Sequence, residues 1–306
     1  MSQNIPKILG HRGEMMPEHI ETINVQENGL HAIERGLKFS DGVECDVCKT
    51  KDGELVVIHD AKCVLDQVEY CFTDNLSPES ALIVGDRTLD EMDFSEVSTL
   101  RLKSGEKIPL LKEVFDLYEK YPGKRMNLEL KGPNLALNVL EKVHQRIADN
   151  KMTVEQFLIL SFDHYQIYEI RKHDHLGIKL GLTFLRSESP ALTPMYPWLP
   201  KGSTSGSYSC FSADSLKSDI VKKVNPDSII IPEPAFTKEN IDIVQQHFPK
   251  AKTAVWVFSE VQNDASTNFN YTIASLKGRI DAIDSIMIDD PENTTEALKN
   301  TLRSAL

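Results

Sequence analysis

The chain has 306 residues, 41% of them apolar and 26% charged, with 34 Lys and Arg against 46 Asp and Glu, for a formal charge of −12. That length admits one large barrel or two ordinary domains, and the composition is that of a globular protein, not a disordered one. The negative charge repels nucleic acid and anionic membranes at long range, and no stretch approaches the roughly 18 uncharged apolar residues that cross a bilayer. The first residues show no basic start followed by an apolar run, so no secretory leader is expected. Five scattered cysteines favour reduced thiols in a cytoplasmic setting, where the Asn-x-Ser/Thr sites at Asn75 and Asn270 carry no message.

Along the chain, β-rich apolar runs alternate with helical patterns. Strands are expected at Lys7–Gly10, Gly42–Val47, Leu55–Ile58, Arg125–Leu130, Phe157–Ser161, Lys179–Phe184, Ser228–Ile231, Thr253–Phe258 and Ser285–Ile288. Between them, Leu30, Ile33 and Leu37 form one stripe at helical spacing. Ala136, Leu140, Val143 and Ile147 form another, with Pro133 as its first helical residue. The last helix opens on Asp290-Pro291-Glu292, an acid in the capping position followed by an initial proline. Alternation of this kind argues for a parallel sheet, and eight units fit a TIM (β/α)8 barrel occupying the whole chain, 1–306. The polar, turn-rich stretch 61–107 breaks the rhythm and reads as a small insertion after the second strand unit. A second irregular segment, 185–209, reads as a surface loop.

Several strands end on groups that carry chemistry. Glu44 and Asp46 lie at i and i+2, so both side chains share one face about 7 Å apart along the backbone, and Gly42 on that face leaves room beside them. Cys45 and Cys48 fall on opposite faces, which argues against a zinc pair. Asn127, Glu129 and Lys131 share one face of their strand. Three carboxylates, Glu44, Asp46 and Glu129, form an oxygen-only donor set suited to Mg²⁺ or Ca²⁺. Taken alone, these acids could equally be solvated strand ends paired with Lys131 or Arg12. His11 ends the first strand and His59 the third; a histidine pair can act as base and acid across one bond. Arg12 and Gly13 after His11 supply a cation for phosphate and a position where backbone can approach closely.

These motifs, taken in order, resemble those of the glycerophosphodiester phosphodiesterase family. The similar segments are His11-Arg12-Gly13, Asp41-Gly42-Val43-Glu44-Cys45-Asp46-Val47, Thr50-Lys51-Asp52-Gly53, His59-Asp60 and Ile108-Pro109-Leu110-Leu111-Lys112-Glu113-Val114. Asn127-Leu128-Glu129-Leu130-Lys131, Ser161-Phe162-Asp163 and Ile288-Asp289-Asp290-Pro291 complete the series. The resemblance implies a TIM barrel that hydrolyses small glycerophosphodiesters to glycerol 3-phosphate and an alcohol. It implies Glu44, Asp46 and Glu129 as ligands of a divalent cation, and His11 and His59 as general acid and base. Arg12 and Lys131 would then hold phosphate oxygens, and Trp256 would line the glycerol pocket. The attacking group is water or the neighbouring glycerol hydroxyl, the latter giving a cyclic phosphate.

The chain departs from the family in two places. The family's Pro-Glu-Asn-Thr segment is met either by Pro17-Glu18-His19-Ile20 or by Gln26-Glu27-Asn28-Gly29, and the second suits the helix leading to Glu44. The loop 14–25 is then longer than usual. The family's Trp-Thr-Val-Asn run is Trp256-Val257-Phe258 here, without the closing Asn. Rival readings are a lysophospholipase D or sphingomyelinase-D-like enzyme, with Leu192, Met195, Tyr196, Trp198 and Leu199 forming an apolar mouth. Others are a phosphoinositide phospholipase C-like enzyme and a non-catalytic metal- or ligand-binding barrel. A nuclease is disfavoured by the charge.

Overall fold

The computed structural model describes residues 5–15, 25–59, 63–65, 68–70, 72–185, 209–256 and 272–306. Eight parallel strands close on themselves. They are β1 (Lys7–Gly10), β2 (Gly42–Lys49), β6 (Arg125–Leu130), β7 (Phe157–Ser161), β8 (Lys179–Thr183), β9 (Ser228–Pro232), β10 (Lys252–Trp256) and β11 (Ile283–Ile288). Leu9 lies opposite Met287 on one side of β1, and Gly10 opposite Val43 on the other, which completes the ring. This is the expected TIM barrel. Two further strands form a separate hairpin, β4 (Cys63–Leu65) with β5 (Val68–Tyr70).

The third expected strand does not belong to the barrel. β3 (Leu55–Val57) runs antiparallel to the far end of β2, with Val47 opposite Val57. β2 is long enough to project beyond the ring, turn over 50–53 and send the chain back. His59 therefore reaches the barrel mouth on a returning strand, not at the end of a parallel one. Ile58 N–H donates to Asp46 C=O at 3.1 Å, which sets His59 beside the carboxylates.

Alternation along the strands separates two cores. Outward residues such as Ile8, Val43, Cys45, Leu128, Ile159 and Ile229 pack under helices Leu30–Phe39, Leu111–Tyr118 and Ala136–Ala148, together with the later ones. Inward residues Leu9, Leu158, Leu160, Ile230, Ala254 and Met287 fill the barrel. Two positions further along the same inward rows come His11, Phe162, Trp256 and Asp289, beside Asp46 and Glu129 on their own strands. Strand parity therefore delivers polar groups to one end of a dry plug.

Three local expectations need correction. The helix expected from Pro133 begins at Ala136, because Asn134 takes a left-handed conformation (φ 55°). Gln166 ties that turn by accepting from Leu135 N–H and donating to Gly132 C=O. The described part of segment 61–107 is not merely polar. Phe72, Leu76, Val84, Leu89, Met92, Val97, Leu100 and Leu102 form an apolar cluster against Cys48, Val56 and Ile58. Its helices, Pro78–Val84 and Phe94–Val97, are too short to show a helical period in sequence. Finally, Gly42 leaves no free room. A Cβ there would lie 2.0 Å from the Arg125 carbonyl oxygen, so the glycine lets β2 and β6 approach.

Gly42→Ala is therefore expected to cost about 3 kcal/mol or more, through forced separation of the two strands that carry the carboxylates. Chemical denaturation measures it, and an unchanged midpoint would remove the close approach from the account.

Candidate active site

β2 and β6 lie side by side with Glu44 opposite Asn127 and Asp46 opposite Glu129. This register brings Glu44, Asp46 and Glu129 together. One oxygen from each lies within 4.8 Å of the others, and all three residues are buried. Such a cluster repels itself unless positive charge is supplied. Lys131 Nζ bonds the Glu129 carboxylate and lies 3.4 Å from Asp46 Oδ1, while Arg12 Nε lies 3.3 Å from Asp46 Oδ2.

The balance is uneven across the cluster. Burial and the neighbouring Asp46 and Glu129 push the Glu44 carboxyl well above the ordinary range. Burial also raises Glu129, although Lys131 opposes it. Asp46 goes the other way. Burial would raise it, but Lys131, His59 and Arg12, with the Asn28 amide, hold it below the ordinary range. Burial works to lower both Lys131 and Arg12, yet the facing carboxylates keep them firmly protonated. Glu44 Oε1 is buried and has no hydrogen-bond partner among the described residues. An orphaned carboxylate oxygen in an all-oxygen cluster fits a hard cation, and these three residues could hold one.

The loop after β1 wraps this cluster. Arg12 adopts a left-handed backbone conformation (φ 51°), unusual for a residue with a side chain. Its N–H donates to Glu44 Oε2 at 3.0 Å, its C=O accepts from Asn28 N–H at 2.9 Å, and its Nη1 donates to Glu27 Oε1 at 2.7 Å. Gly13 (φ 87°) serves this fold, since a Cβ there would sit 2.4 Å from the backbone of Ala32. The close approach expected at Gly13 is thus to a helix. Asn28, fully buried, bonds Asp46 twice: its Nδ2 donates to Oδ2 at 2.9 Å and its Oδ1 accepts from the Asp46 N–H at 3.1 Å.

His11 stands at the edge of the cluster. Its Nδ1 is 2.7 Å from Asp289 Oδ1, and its Nε2 is 4.0 Å from Glu44 Oε2. A carboxylate accepts from Nδ1–H and so leaves Nε2 facing the site. Burial and the cations Arg12 and Lys131 push the His59 imidazole well below its ordinary value, with Asp46 opposing. Beyond Lys131 lies an aromatic wall. The ammonium sits 5.2 Å from the Phe162 ring centre, Phe162 meets Trp256 edge-on, and Trp256 Nε1–H donates to Phe184 C=O at 3.0 Å. Trp256 therefore offers only its ring to a ligand.

The sequence model of the Glycerophosphoryl diester phosphodiesterase family matches residues 11–231. The chain belongs to that family. Its members are phosphoric diester hydrolases, and the chain is an enzyme of that class. The glycerophosphodiester phosphodiesterase of Caldanaerobacter subterraneus subsp. tengcongensis is 32% identical over 208 residues, covering 62% of this chain and 75% of the relative. That of Bacillus altitudinis is 32% identical over 179 residues, covering 56% and 65%. Among solved structures, a glycerophosphodiester phosphodiesterase from Parabacteroides distasonis superposes with TM-score 0.61 at 16% identity, over 99% of each chain. An Oleispira antarctica phosphodiesterase, solved with the product sn-glycerol-3-phosphate, gives TM-score 0.59 at 17% identity, over 98% of this chain and 97% of its own.

All eight residues singled out in the sequence lie in or around this one mouth. Two of the segments that resemble the family contribute more to the site than their residue types show. Glu27-Asn28 supplies direct bonds to Arg12 and Asp46. In Ile288-Asp289-Asp290-Pro291 the cap Asp290 is legible, and Asp289, two positions beyond inward Met287, has the parity that faces the site. Asp60, residues 16–24 and 186–208, and the positions after Trp256 up to 271 lie outside the described residues.

Removing Lys131 as Lys131→Met is expected to destabilise the metal-free protein by about 3 kcal/mol, because the buried Asp46 and Glu129 carboxylates lose a partner. Saturating divalent cation should recover much of that loss. Equal deficits with cation and with EDTA would show that the carboxylates do not share a cation.

Proposed function

We propose that the chain hydrolyses small glycerophosphodiesters, of the glycerophosphocholine and glycerophosphoethanolamine type, to sn-glycerol 3-phosphate and an alcohol. The observation that carries this reading is the convergence, at one barrel mouth, of His11, His59, three buried carboxylates and two half-buried cations. The product complex of the Oleispira relative supports a small phosphate-bearing substrate.

Glu44, Asp46 and Glu129 would hold one divalent cation, Mg²⁺ or Ca²⁺, since every donor is oxygen. Such a cation supplies Lewis-acid polarisation of a phosphate oxygen. Arg12 and Lys131 bind the phosphate oxygens and hold the diester in place. His11 and His59 form the acid–base pair. One imidazole takes the proton of the attacking oxygen as the P–O bond forms, and the other delivers a proton to the leaving alkoxide as the second P–O bond breaks. Asp289 fixes the ring of His11 so that Nε2 is the nitrogen that exchanges the proton. Phe162 and Trp256 close the apolar side of the glycerol pocket. We place the whole chain in one barrel, with 61–107 as an insertion, and assign it to the cytoplasm on its five scattered cysteines, an odd count. The residues proposed for an apolar mouth in the lipid-acting alternatives lie in 186–208, outside the described residues.

His11→Ala and His59→Ala are expected to lose about 10²–10⁴-fold in turnover while cation and product binding persist. Wild-type turnover in either variant would sink the assignment. Asp289→Asn is expected to lower kcat by about 10²-fold with little change in KM, the signature of a misoriented base. A change confined to KM would instead place Asp289 among the binding groups.

A further inference from the structure

Glu27 Oε1 accepts two hydrogen bonds, one from Arg12 Nη1 at 2.7 Å and one from Asn75 Nδ2 at 3.1 Å. Asn75 comes from the segment outside the barrel, at the end of a single 3₁₀ turn, Phe72–Asn75. In sequence it was only part of an inconsequential Asn-x-Ser site. Its orientation is dictated by chemistry. A carboxylate only accepts, so the amide nitrogen must face Glu27, and the amide oxygen accepts from Gln26 Nε2 at 3.1 Å.

Asn75 is firmly anchored. Its own C=O accepts from Lys103 N–H at 3.0 Å, and Leu76 beside it is buried in the apolar cluster of that segment. Glu106, from the same segment, accepts from His31 N–H at 3.2 Å. The segment thus grips 26–31 at two points. That stretch in turn holds both Arg12, through Glu27, and Asp46, through Asn28. Arg12 needs such bracing, because its backbone sits in the left-handed region and its guanidinium spans two carboxylates on different elements.

We propose that Asn75 is a positioning residue: through Glu27 it fixes Arg12 for phosphate, so the segment outside the barrel helps to build the phosphate pocket. The choice of phosphate as ligand rests on the function proposed above; the bracing of Arg12 does not. Supporting groups of this kind hold a binding side chain within the narrow geometry that recognition requires.

The test uses the full chain. In Asn75→Ala, amide hydrogen exchange over 11–15 and 26–31 should quicken by about 10-fold or more, while β7–β9 keep their rates. Calorimetry with sn-glycerol 3-phosphate and a divalent cation should show about 10-fold weaker binding, at an unchanged thermal midpoint. In a Glu27→Ala background the same substitution should weaken glycerol 3-phosphate binding no further. Asn75→Asp, which keeps the shape but sets a carboxylate against Glu27, should lose at least as much and serves if the alanine variant folds poorly. Unchanged exchange in both variants, or losses that simply add to those of Glu27→Ala, would overturn the proposal. Selective loosening of 11–15 and 26–31 in a protein that binds no glycerol 3-phosphate would uphold the bracing and refute the ligand.

Discussion

Three buried carboxylates on two adjacent strands repel one another, and much of the structure around the barrel mouth exists to hold them there. Lys131 faces one oxygen of Asp46 and Arg12 the other, and Asn28 adds two hydrogen bonds to Asp46. The compensation is incomplete. Burial and its neighbours still push Glu44 well above the ordinary carboxylate range, and one of its oxygens has no partner among the described residues. A cluster left short of positive charge is poised to take a cation. In the proposed function, the same two basic residues hold the phosphate of the substrate.

This constraint explains details that look unrelated. The left-handed turn at Arg12 brings a backbone N–H onto Glu44 and a side chain onto Asp46 at once. Gly13 lets helix Leu30–Phe39 press against that turn, and Gly42 lets β2 approach β6 closely enough to gather the carboxylates. The β2–β3 return delivers His59 beside the cluster, and Asp289 at the end of β11 fixes His11. Each element contributes one or two groups, and the barrel plug of Leu9, Leu160, Ile230 and Met287 forms a dry floor beneath them.

Much of this was legible in the sequence because strand parity is a strict rule. Glu44 and Asp46, or Asn127 and Glu129, share a face whatever the tertiary context, and the eight barrel strands were placed within a few residues. Bonds between distant segments left no such trace. The period-two pattern of Leu55–Val57 could not show that it pairs antiparallel and lies outside the ring. Short helices concealed the apolar cluster behind Phe72 and Leu76. Asn75 and Asp289 act through single side-chain contacts across 48 and 278 positions of chain, and only the folded arrangement brings them to Glu27 and His11.

The proposed function is phosphodiester cleavage at a cation held by the carboxylate cluster. The most direct measurement is release of sn-glycerol 3-phosphate from glycerophosphocholine and glycerophosphoethanolamine, with Mg²⁺ or Ca²⁺ supplied and then withdrawn by EDTA. Release that depends on the cation and stops on chelation is the predicted result. Undiminished release after chelation, or no release by the folded, cation-loaded protein, would contradict it.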